Sequence, residues 1–184
     1  MKVGLAGEEN PKLSFATTPG AMVSGRIMNW DAMEAVWVQA FEKLGVAPAD
    51  AAGVLLTEAI FNPPMMSKEH IVKRMFEKLN VQSVWVASQP AMTLYSAGRT
   101  TGLVVECGHG LTQSLPIYEG NPQTHGKDKS FLGGHSVNKF LAEKLGSEEN
   151  VQAIKEQACF VAADYEAEKG GAEFTAKLPD GKEV

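Results

Sequence analysis

The stretch from Val54 to Ala87 constrains the fold more than any other part of the chain. It opens on a short apolar run, Val54 to Thr57, and continues into SKEHIVKRMFEKLN, where Ile71, Val72, Met75, Phe76 and Leu79 recur at helical spacing. It closes on a second apolar run, Val81 to Ala87. Apolar residues three and four apart line one face of a helix, whereas a short run bounded by turn residues suits a strand. Ser67 is the expected N-cap of this helix. Alternation of strands and helices indicates an α/β fold, in which each helix buries its stripe against a sheet.

The flanking segments extend the pattern. In NWDAMEAVWVQAFEKLGV, Met33, Val36, Trp37, Ala40, Phe41 and Leu44 share one helical face, with Asn29 or Asp31 as cap and Gly45 as stop. Upstream, Lys2 to Ala6 and Leu13 to Ala16 suit short strands, and Glu8 to Gly25 reads as a Pro-, Gly-, Ser- and Thr-rich loop. Pro90 fits the first turn of a helix from Gln89 to Ser96 that Gly98 ends. From about Leu132 the chain is mostly helical, with Val137, Phe140, Leu141 and Leu145 on one face and a further helix from Val151 to Lys169. The closing LPDGKEV reads as a strand carrying a Pro-Asp-Gly turn.

Composition narrows the function classes. A 184-residue chain that is 44% hydrophobic has enough apolar material for one domain or two small lobes. Its net charge of −5 comes without any dense Lys/Arg run, which argues against a nucleic-acid surface. No stretch approaches the roughly 20 apolar residues of a membrane span, and no basic amphipathic helix suggests surface attachment. Two cysteines, Cys107 and Cys159, lack metal-type spacing, so a reducing intracellular setting is expected, with Cys107 as a buried structural thiol. Trp30, Trp37 and Trp85 suit core or lobe-interface packing.

The segment GRTTGLVVECGHGLTQSLPIYEG carries the chemistry. Leu103, Val104 and Val105 lead into a turn containing Gly108 and Gly110, and a second strand follows. Backbone amides in such a turn can face an anion, so it has the form of a phosphate cradle. A plain hairpin turn whose glycines satisfy positive φ is the other reading. Glu106 is either a metal-directed carboxylate or a solvated strand end. His109 has no second His or Cys nearby in sequence, which favours an exposed turn histidine over a ligand.

These stretches resemble actin and the actin-related proteins: KVGLAGEENPK, NWDAMEAVW, VLLTEAIFNPP, the run from MFEKLN to IYEG, IKEQACFVAADYE and LPDG, in the family's order and over almost the whole chain. The resemblance implies the fold shared with heat-shock chaperones and sugar kinases, two lobes around an ATP cleft, here incomplete. Residues 1–96 would form a first lobe ending in a hinge helix, Gln89 to Ala97, and residues 97–184 a second lobe. It also implies nucleotide-site roles for Lys2, Gln89, Glu106, Gly108, Gly110, Lys155 and Glu156, with Gln89 at the family's catalytic glutamine and Lys155 and Glu156 in the base- and ribose-contacting segment.

The departures from that pattern set the functional expectation. The resemblance starts at Lys2, so the family's first phosphate hairpin and its strand have no counterpart, and the outer subdomain insertion is missing between Thr18 and Met28. Glu106 and His109 stand where aspartates are usual, and Gln113 where a histidine arranges the attacking water. Such changes disfavour the tight geometry of Mg²⁺. ATP or ADP with Mg²⁺ is therefore expected to bind weakly or not at all, without hydrolysis.

The resulting expectation is a cytoplasmic, cytoskeletal subunit that binds other proteins in a larger assembly, forms no filament, and has neither a nucleic-acid nor a membrane partner. The alternative is a fragment of a conventional ATP-binding, polymerising actin. A sugar-kinase-like enzyme is a weaker third reading. A missing central strand predicts exposed apolar faces on the helices at 31–44 and 68–79.

Overall fold

The computed structural model describes residues 1–15, 18–62, 64–170 and 175–178. The chain begins with two short antiparallel pairs: β1 (Lys2–Val3) with β2 (Leu13–Ser14), and β3 (Met22–Val23) with β4 (Arg26–Ile27). The second pair closes through Ser24 and Gly25, both at positive φ, as a two-residue hairpin loop requires.

Helix α1 (Trp30–Leu44) starts and stops where its sequence directs. Asn29 Oδ1 accepts from the amides of Asp31 and Ala32 at 3.1 and 3.0 Å, and Gly45 adopts the left-handed conformation beyond the last turn. Strand β5 (Val54–Glu58), helix α2 (Pro64–Glu77) and strand β6 (Val84–Ser88) form the βαβ unit, with β5 and β6 parallel from Val54↔Val84 to Glu58↔Ser88. Ser67 is not the cap of α2. The helix opens three residues earlier at Pro64, where a residue without an N–H is tolerated, and Ser67 is buried inside it.

Met33, Val36 and Trp37 of α1 meet Ile71 and Met75 of α2, together with Leu79 and Val81, over the inward residues Val54, Leu56, Val84 and Val86. Arg74 joins the helices at their rim, pairing with Glu34 and Asp31. The apolar stripes of both helices are thus largely covered, contrary to expectation, although Phe76 remains exposed. What lies open is the other face of the strands. Alternation turns Leu55 and Trp85 outward, 59% and 69% exposed, so Trp85 is not a core residue. Trp30 stacks on His70 instead, with ring centroids 4.9 Å apart.

Helix α3 (Gln89–Ser96) leads to the expected hairpin, β7 (Gly102–Cys107) and β8 (Thr112–Tyr118), antiparallel with Gly102 opposite Ile117 and Cys107 opposite Thr112. β8 also pairs with β9 (Asn121–Pro122) and with β10 (Asp128–Ser130), a strand the sequence pattern did not announce. A second buried cluster forms here, from Ala91 and Leu94 of α3 with Val104, Leu115 and Ile117. Leu103 and Val105 point the other way and are 66% and 59% exposed. Cys107 shares that exposure at the hairpin's end, so it is not a buried structural thiol.

Helices α4 (Gly134–Leu145) and α5 (Val151–Ala158) pack together. The single helix expected to reach Lys169 is broken. Cys159 is extended, Phe160 and Val161 are exposed, and α6 (Tyr165–Glu168) restarts behind Asp164, whose Oδ1 accepts from the amides of Glu166 and Ala167. β-Branched and aromatic residues with nothing to pack on do not sustain a helix. The Pro-Asp-Gly turn of LPDGKEV lies outside the described residues.

Candidate functional site

Strand alternation on β7 and β8 brings Glu106 and Gln113 to the inner face of the hairpin, directly opposite one another in register. The Gln113 side chain is buried, with both of its N–H donors and its amide oxygen engaged. Its Nε2 donates to Glu106 Oε2 at 2.7 Å and to Gln89 Oε1 at 3.3 Å, while its Oε1 accepts from the Ile60 amide at 3.2 Å. The other carboxylate oxygen of Glu106 accepts from Thr93 Oγ1. Two of the anticipated residues, Gln89 and Glu106, therefore do converge, but on Gln113 and with their polar atoms turned to each other. Glu106 is a networked, half-buried carboxylate and not a solvated strand end.

At the hairpin tip the glycines have a different purpose from the one their type suggests. Neither Gly108 nor Gly110 has positive φ. A Cβ on Gly108 would stand 3.1 Å from the Leu111 carbonyl oxygen, and one on Gly110 would stand 3.0 Å from Ser24 Cα. The glycines are needed because backbone comes close. The Ser24–Gly25 turn between β3 and β4 is what approaches Gly110, and Asn62 Nδ2 holds it by donating to the Gly25 carbonyl at 3.3 Å.

The turn also meets the start of α4. The Gly134 amide donates to the Gly108 carbonyl at 3.0 Å and the His135 amide to the His109 carbonyl at 2.7 Å. The Gly108 amide is engaged by Leu111 within the turn. Two α4 amides are thus occupied by the hairpin's own oxygens.

Lys155 reaches this place from α5, its Nζ 3.4 Å from where a Cβ on Gly134 would be. Gln152 ties it to its neighbour: Lys155 Nζ donates to Gln152 Oε1 at 2.9 Å, and Gln152 Nε2 donates to Glu156. Gly108, Gly110 and Lys155 therefore gather around the hairpin tip and the first turn of α4, and Glu156 is linked to Lys155 only through Gln152 on its own helix. Lys2 stands apart on exposed β1, paired through its backbone with Ser14, and no hydrogen bond or ion pair among the described residues ties it to the hairpin.

Sequence reasoning missed Thr93, Gly133 and His135. The Gly133-Gly134 pair before a helix was a usable signal, but nothing in spacing brings residue 135 to residue 109. Magnesium takes octahedral oxygen ligands. Each Glu106 oxygen here holds a donor, His109 offers nitrogen, and among the described residues no three His, Cys, Asp or Glu side chains gather as ligands. The residues present do not fit a protein-built Mg²⁺ site.

The actin family model matches residues 13–153. The chain is 32% identical to Actin-like protein 9 of Rattus norvegicus, over 100% of this chain and 47% of that protein. It thus spans about half the length of the relative it matches. Among the described residues no helix is long and apolar enough to cross a membrane. With the family model covering most of its length and a relative 32% identical over all of it, the chain belongs to the actin family.

Proposed function

We propose that this actin-family chain is a structural subunit of a cytoskeletal protein assembly, with a nucleotide cleft that does not hydrolyse ATP. The observation that carries this reading is the open strand face. Leu55 and Trp85 on one sheet and Leu103 and Val105 on the other leave large apolar side chains in water, as a surface made to be covered by another protein does. The hydrogen bonds that Glu106 accepts from Thr93 and Gln113 suit a structural role for this carboxylate.

Purified chain is expected to release no phosphate from ATP above background. Release that falls on Glu106→Ala would overturn the proposal. A second reading, a fragment of a conventional ATP-binding, polymerising actin, draws on the 47% coverage of the relative. Transcript sequence that continues the reading frame into the missing portions of the family would favour it.

A further inference from the structure

The hairpin tip and the first turn of α4 place two imidazoles side by side. The His109 and His135 rings have centroids 5.4 Å apart and planes inclined at 52°. We propose that they chelate one borderline divalent cation of the zinc, nickel or copper class. A tetrahedral ion about 2.0 Å from one nitrogen of each ring sets the centroids about 5 Å apart, a separation that the observed spacing accommodates. The tilt sets the pair apart from a face-to-face stack, the arrangement that Trp30 and His70 approach at 28°.

The backbone under the rings is fixed, which is what a small site needs to keep its ligands in place. The amides of Gly134 and His135 donate to the carbonyls of Gly108 and His109, and a Cβ on Gly133 would lie 2.7 and 2.8 Å from those same oxygens. The two segments are pressed together as tightly as glycine permits. Both side chains are exposed, so a cation reaches them from solvent.

Ligand chemistry selects the ion. Imidazole nitrogen suits Zn²⁺, Ni²⁺ and Cu²⁺, whereas Mg²⁺ calls for oxygen. Water completes the coordination sphere. Lys155, the neighbouring cation, is held by Gln152 and opposes the bound charge, so the site is one of modest affinity.

The test is titration of the full chain with ZnCl₂, NiCl₂ and MgCl₂, read by calorimetry and by thermal shift. Zn²⁺ and Ni²⁺ are expected to bind one per chain, and Mg²⁺ at equal concentration not to bind. His109→Gln and His135→Gln are each expected to weaken Zn²⁺ binding about tenfold or more. His70→Gln, His125→Gln and Cys107→Ser should leave it unchanged. Both proposed ligands are exposed, and an unchanged circular dichroism spectrum checks that the variants fold. Binding that survives in the His109→Gln/His135→Gln double variant, that disappears with Cys107→Ser, or that is undetectable in the folded chain would overturn the proposal and leave the rings a simple contact.

Discussion

Gln113 shows how one side chain can reorganise a site that its neighbours were expected to define. Its amide answers Glu106, Gln89 and the Ile60 N–H at once. Gln113→Ala should leave the part-buried Ile60 amide and a half-buried carboxylate short of partners, and is expected to lower stability by about 1–3 kcal/mol in chemical denaturation. Gly110→Ala tests a different constraint at the same tip. Its φ tolerates alanine, yet the new methyl meets the Ser24 backbone at 3.0 Å, so a loss of about 1–3 kcal/mol is expected. Gly20→Ala meets nothing within 4 Å, but it imposes strain through its positive φ alone, and so separates crowding from backbone conformation. The site was legible as residue types: Gln89, Glu106, Gly108 and Gly110 could be picked out from the strand and turn pattern and the family's motifs. Their partners were not legible. Thr93 and His135 arrive through tertiary packing, and the glycines' need for space depends on which backbone comes to rest beside them.

The elements themselves were readable where local signals agreed. Asn29, the apolar stripe and Gly45 all specify the same helix, and α1 follows them to the residue at its C-terminal end. Asn29→Ala is expected to cost about 1 kcal/mol, measured by the same denaturation, because two first-turn amides lose their acceptor. The hairpin was equally clear, since a turn of small residues between two apolar runs offers few alternatives. Reading failed where a periodic pattern continued without anything to pack on. The residues after Ala158 keep helical character on paper, but Phe160 and Val161 are exposed among the described residues and the helix stops. Likewise Val137 and Phe140 mark a stripe on α4 that is exposed among the described residues. Periodicity reports which face is apolar and says nothing of whether a partner surface exists.

At the scale of the whole molecule, apolar surface accumulates on the strand faces opposite the helices. Trp85→Ser and Leu55→Ser, both outward on the β5–β6 pair, are expected to reduce self-association of the purified chain in sedimentation velocity while leaving the inner cluster intact. A variant that associates as before would place the sticky surface elsewhere. The same architecture divides the hydrophobic interior in two: one cluster between α1, α2 and the parallel pair, the other between α3 and the hairpin. The segment after β5 meets the hairpin through the Ile60–Gln113 hydrogen bond and through the packing of the Ile60 side chain on the second cluster. Two interiors so joined need not open together. Amide hydrogens of β5 and β6 are expected to exchange with deuterated water in one kinetic class and those of β7 and β8 in another, each class reporting the opening of its own half.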